Sequence, residues 1–339
     1  MLKFKLLLII MIPVMSFSQK GNIDGSVFEK FKSVNPLHMQ TLQELAQNIK
    51  LVTSSKEEQL QMLLLWAYHN MAPDSVRFLK GGSSLTTDQA FRLHTGLCDE
   101  YTNITSDFCH LMQIPCIRIE GYVKYAGFKS NDTFEESNHA WNAVYIDSTW
   151  LLCDLFWSTY TLRIISSIPC FIQQLNTQYY LAPPSTFITT HLPADPVFQF
   201  SNFPITIDAF TSVENGIDTT IRKMDYTDYN KSITRLLKLN NNERGLYIAQ
   251  HAYAYNKRNP NILIIQYYNL AADIIHHKTS DKVELNKAKE YLTSALSLIA
   301  KTTIADIKAL QGNCLQGLDI INRRINALEP HYKVMSVKQ

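Results

Sequence analysis

Apolar positions recur at helical spacing over residues 38–50, where Leu42, Leu45 and Ile49 share a face, and over 56–70, where Leu60, Leu63, Leu64 and Ala67 do. Thr53-Ser54-Ser55 ahead of Glu57 and Glu58 supplies the start of the second helix. A loop with Pro73-Asp74 and Gly81-Gly82 follows, and Thr86-Thr87-Asp88 then opens a short helix over 87–93. Gly96 interrupts this pattern. The next helix begins around Cys98, carries Tyr101, Ile104, Phe108, Leu111 and Met112 on its apolar face, and ends at Pro115. A strand through Ile117, Ile119, Tyr122 and Val123 comes next. Two alternating runs, 139–146 and 149–156, flank Asp147-Ser148, a pair of small polar residues suited to a hairpin turn. A helix followed by antiparallel strands is an α+β pattern.

Residues 158–215, with Pro169, Pro183-Pro184, Pro193 and Pro196, read as irregular extended segments packed on the sheet. From about 226 the pattern turns helical, over roughly 232–239, 243–257, 261–277, 282–300 and 303–328. These patterns divide the chain into an α+β domain over 19–215 and an all-α domain over 226–339, with the boundary between Gly216 and Asp225.

The N-terminus changes the picture of where the protein works. Lys3 and Lys5 precede an apolar stretch from Leu6 to Met15, and Ser16-Phe17-Ser18 offers small residues at cleavage spacing. That pattern is a secretory signal peptide over 1–18, too short for a membrane span, and it predicts a secreted or periplasmic protein. No later segment approaches a span. With 32 Lys+Arg against 30 Asp+Glu and no basic run, the charge gives no nucleic-acid surface. Six cysteines in an exported chain permit disulfides, but their apolar settings favour buried free thiols, with Cys170 the exception expected to pair. Without a CxxC there is no support for a zinc site.

Three residues carry candidate chemistry. Cys98 falls in the first turn of its helix, where unpaired backbone N–H groups and the helix dipole favour a thiolate. Asp154 stands in Leu151-Leu152-Cys153-Asp154-Leu155-Phe156-Trp157, and a carboxylate in so apolar a run needs a partner. With Asp147-Ser148 as the turn, residue 146 faces 149 and residue 141 faces 154. His139 is then the diagonal neighbour of Asp154 on the same face. A thiol, an imidazole to take its proton and a carboxylate to orient the imidazole form a nucleophilic triad. Among the other histidines, His94 lies before the Gly96 break, His110 is about three turns along the cysteine helix, and His191 reads as structural.

Gly96-Leu97-Cys98-Asp99-Glu100-Tyr101, Gly121-Tyr122, His139-Ala140-Trp141-Asn142 and Trp150 through Asp154 resemble the core of the transglutaminase-like superfamily. Leu65 through Met71 is similar to the helix ahead of that core. Tyr180-Leu181-Ala182-Pro183-Pro184, Phe187-Ile188, His191-Leu192-Pro193 and Gln199 resemble a segment of the kyphoscoliosis-peptidase-like branch. The resemblance covers about 38–210. It implies a papain-like α+β scaffold with Cys98 as nucleophile, His139 as general base and Asp154 as the orienting residue. Pro73-Asp74, Leu155 and Phe156 depart from the family pattern without touching the triad. The resemblance implies acyl transfer on peptide or protein amides, most simply hydrolysis, with no cofactor required. The alternative is a non-catalytic binding or scaffold protein on the same fold. The C-terminal helices could serve a protein partner under either reading.

Overall fold

The computed structural model describes residues 23 to 328 except 24, 36–38 and 126, so the expected leader over 1–18 lies outside the described residues. Toward the cysteine segment run α1 (Gly25–Ser33), α2 (Leu42–Val52), α3 (Lys56–Asn70) and, after the two-residue strand β1 (Ala72–Pro73), α4 (Ser75–Lys80). Then come α5 (Thr87–Leu93), β2 (Thr95–Gly96) and α6 (Cys98–Met112). The strands β3 (Cys116–Val123), β4 (His139–Ile146), β5 (Thr149–Cys153), β6 (Tyr160–Ile165) and β7 (Ile168–Gln173) follow. After α7 (Pro184–Phe187), β8 (His191–Pro193) and α8 (Ile207–Thr211), the chain turns helical: α9 (Tyr229–Lys238), α10 (Asn241–Tyr255), α11 (Asn261–His276), α12 (Lys282–Ile299) and α13 (Ala305–Ala327).

The main sheet is antiparallel in the order β5-β4-β3-β8. Its register follows from the β4–β5 turn. Asp147 and Ser148 both take positive φ, 49° and 63°, the conformation whose twist matches a two-residue hairpin. Ile146 therefore faces Thr149 and Asn142 faces Cys153, as expected from the sequence, and Asp154 follows immediately after β5.

Alternation then sorts the two faces of the sheet. Val144, Leu151 and Cys153 pack with α2, α3 and α6 in one core, where Trp66 stacks on Phe91 at 4.3 Å. Ile117, Ile119, Trp141, Ala143 and Leu152 face the other way, onto Phe187, Val197, Phe198 and the α9 residues Ile233 and Leu236. Helices α10–α13 bury a core of their own around Leu263, Ile264, Leu285, Leu292 and Ile321. A further cluster, with Tyr122, Phe134, Leu192, Phe210 and Ala252, joins the sheet to α10.

Residues 158–215 hold more regular structure than the sequence indicates. Strands β6 and β7 form a separate hairpin whose turn, Ser166-Ser167, has φ of 50° and 66°. Its Ile164, Ile165 and Ile168 are all exposed, so the alternation that marks a half-buried strand is absent. The expected pairing of Cys170 is corrected too: all six cysteines are free thiols. Cys109 and Cys116 are neighbours, and the Cys109 thiol brings Cys116 below the ordinary thiol value. Among the described residues, no helix is long and apolar enough to cross a membrane.

Candidate active site

Cys98 is the first residue of α6, half-buried at its N-terminus. The two acids beside it are neutralised by arginines. Arg118 reaches Asp99 at 2.8 Å, and Arg77 on α4 pairs with the buried Glu100 through both guanidinium ends. Glu100 also accepts from the Leu97 and Leu85 backbone N–H groups, both at 2.8 Å. Although burial raises its pKa, these donors bring it below the ordinary carboxylate value. Gly96 is needed because Glu100 folds back over it: a Cβ there would lie 2.6 Å from the Glu100 Cβ. The first turn thus keeps its dipole for the thiol, with both neighbouring negative charges paired.

Asn142, on the α6 face of β4, fixes the helix against the strand. Its amide donates to Ser106 Oγ at 2.8 Å and to Thr102 O at 3.3 Å. His139 begins the same strand, and its Nε2 donates to Asp154 Oδ2 at 2.6 Å, with both side chains buried. Cys98 lies close enough to the His139 ring to favour its charged form. Because Asp154 takes Nε2, Nδ1 is the nitrogen left for the thiol, and the Tyr125 hydroxyl lies 3.3 Å from it while donating to Asn138 O. The three residues singled out in the sequence are therefore adjacent.

Burial works against charge on His139. The Asp154 charge and hydrogen bond, with Cys98, outweigh it and hold the imidazolium up to about 10. Burial likewise opposes the Asp154 charge, yet His139 and a second histidine hold that carboxyl well below its usual range. That second histidine is His191, whose Nε2 lies 3.1 Å from the same Oδ2. The other oxygen, Oδ1, accepts from the Trp157 backbone N–H at 2.9 Å. Sequence reasoning missed His191, Arg77 and Tyr125 as members of the site. The signal for Arg77 was Glu100, an acid at the third helical position, where a side chain folds back onto the helix start.

His139, Asp154 and His191 present three ligand atoms within 4.8 Å of one another. At 2.6 and 3.1 Å, however, these atoms already share protons. A metal bound at about 2.0–2.2 Å from each would have to part His139 from Asp154 and displace the proton between them. The arrangement is suited to holding a proton next to a thiol.

Residues 43–155, which contain Cys98, His139 and Asp154, match the family model of the transglutaminase-like superfamily, and this region belongs to that superfamily. With the helices that follow, the chain is an α+β transglutaminase-like domain joined to a helical C-terminal region. Human kyphoscoliosis peptidase is 27% identical over 171 residues, 50% of this chain and 26% of that protein. Its mouse counterpart is 26% identical over 192 residues, 56% of this chain and 29% of that protein. Hillarin of Drosophila melanogaster is 25% identical over 125 residues, 34% of this chain and 15% of that protein. The matched region is thus similar to the kyphoscoliosis-peptidase branch, and the chain spans under a third of each relative's length.

Proposed function

We propose that this protein is a cysteine-dependent acyl-transfer enzyme acting on peptide or protein amides, working as a peptidase-type hydrolase with Cys98, His139 and Asp154 as its triad. The reading takes 1–18 as a cleaved leader, 19–215 as the catalytic unit and 226–339 as a helical domain, and it places the mature protein outside the cytoplasm. One observation carries it: the His139 ring meets a half-buried thiol at a helix N-terminus and, through Nε2, a buried carboxylate at 2.6 Å. The names of the human and mouse relatives support a peptidase.

In this mechanism the Cys98 sulfur, as thiolate, attacks the amide carbonyl carbon. The C–N bond breaks, and the departing amine takes the proton from His139 Nδ1. Water then attacks the thioester, His139 accepts the water proton, and the carboxylic acid leaves as Cys98 is regenerated. The Cys98 backbone N–H, in the first turn of α6, is one donor for the carbonyl oxygen as it becomes negative.

An activated acyl ester of p-nitrophenol tests this without knowledge of the natural substrate. The mature protein should gain one acyl group on Cys98 at about pH 6, seen by peptide mass spectrometry. Cys98→Ala should abolish the adduct and His139→Ala should slow its formation at least about a hundredfold. No adduct on Cys98 in the folded protein would support the binding-protein alternative.

A further inference from the structure

His191 lies at the start of β8, two strands away from His139, and it is fully buried. Phe187, Trp157, Trp141 and Tyr179 surround it, with ring centroids at 4.1, 4.7, 5.1 and 5.5 Å. Such a cage would accept an apolar ring readily, whereas a buried imidazole costs free energy unless it is hydrogen-bonded. Each nitrogen has a partner: Nε2 reaches Asp154 Oδ2 at 3.1 Å and Nδ1 reaches Thr190 Oγ at 2.7 Å. An ionised carboxylate has no proton to give, so Nε2 carries the hydrogen and Nδ1 accepts from Thr190.

We propose that His191 is a positioning residue for His139: its Nε2–H shares the Asp154 oxygen that orients His139, and so limits how tightly that carboxylate holds the His139 proton. A carboxylate oxygen with two donors is a weaker acceptor toward each than one with a single donor. His139 must both keep a proton beside the thiolate and release it to a departing amine. An unshared Oδ2, at 2.6 Å from Nε2, would favour keeping it. The catalytic meaning of this tuning rests on the triad reading above, but the hydrogen-bond competition itself does not.

The groups facing this cluster are Cys98 from α6, Tyr125 from the loop after β3, Asp154 and Trp157 after β5, Tyr179 before α7, and Thr190 before β8. Asp99 acts more distantly, through Tyr125. Burial pushes His191 down to about 4 despite Asp154, in keeping with a neutral ring that donates from Nε2.

The test is NMR of the full mature protein with 15N-labelled histidine. His191 should stay neutral with its proton on Nε2 from pH 5 to 9. A bare Nε2, or a His191 titration inside that range, would overturn the proposal even if no variant folded. At neutral pH the His139 Nε2 proton should move further downfield in His191→Phe, which fills the cage but removes the donor. In His191→Gln, whose amide nitrogen replaces Nε2, it should stay near the wild-type position. An unmoved His139 proton in folded His191→Phe overturns the proposal as well. A shifted proton together with an unreactive Cys98 would instead retain this inference and count against the acyl-transfer function.

Discussion

His139 and His191 donate to one carboxylate oxygen, yet their proton affinities move in opposite directions. His139, raised to about 10 from an unfolded value of about 6.5, adds stability below pH 6.5 that is lost as pH rises through 10. For His191 the folded value, about 4, is depressed. Between pH 4 and 6.5 the unfolded chain therefore takes up a proton that the native ring refuses, so stability falls as pH drops through that window. Thermal midpoints across pH should peak near 6.5. His139→Gln should flatten the alkaline limb and His191→Gln the acid limb. Cys98, His139 and Asp154 were legible in the sequence because each has a local sign: a glycine break before a helix, an alternating run, and an acid among apolar residues. A two-residue turn set the register between the last two. His191 was not legible, because its partner is 37 positions away and the β3–β8 pairing that brings them together leaves no periodic trace.

Among the elements, α6 depends on α4 in a way that its own sequence does not show. Arg77 is the charge partner of Glu100, which is fully buried below the Cys98 turn. Arg77→Met should leave that carboxylate unpaired and cost about 3–5 kcal/mol. A urea titration at pH 7 should show the lowered midpoint, and Glu100→Gln in the same background should recover part of it. The β4–β5 hairpin offers the opposite change. Ser148 holds a φ of 63°, a region in which glycine carries no steric cost. Ser148→Gly should therefore stabilise the fold by roughly 0.5–1 kcal/mol, measured as a higher midpoint with an unchanged slope. Helices were easier to read than the β6–β7 hairpin for a physical reason. Each helix buries one stripe, whereas this hairpin exposes isoleucines on both sides of its turn and carries Pro169, a residue that argues against a strand.

At the scale of the whole molecule, the C-terminal helices hold the loop that leads into His139. Asn256, at the end of α10, donates to Phe134 O at 2.9 Å and to the Tyr122 hydroxyl at 3.1 Å. Asn259 donates to the same hydroxyl at 3.1 Å, and Asn261 to Glu135 O at 3.2 Å. All three asparagines are buried, so each lost partner costs about 1–3 kcal/mol. The two regions should therefore unfold together. Calorimetry should give one transition, and Asn256→Ala with Asn259→Ala should lower it as a unit. Two separated transitions would show that the helices are independent of the site. The sequence announced the helices by their period, but these amide contacts join residues more than 120 positions apart and could not be read from it.

The most direct test of the triad is the pH dependence of Cys98 alkylation by iodoacetamide in the mature protein, mapped by mass spectrometry. Selective labelling of Cys98 at about pH 6, well below the free-thiol pKa of about 8.5, that His139→Ala abolishes is the predicted result. Labelling that begins only in the alkaline range, and is unchanged by His139→Ala, would contradict an activated thiolate–imidazolium pair and with it the acyl-transfer function.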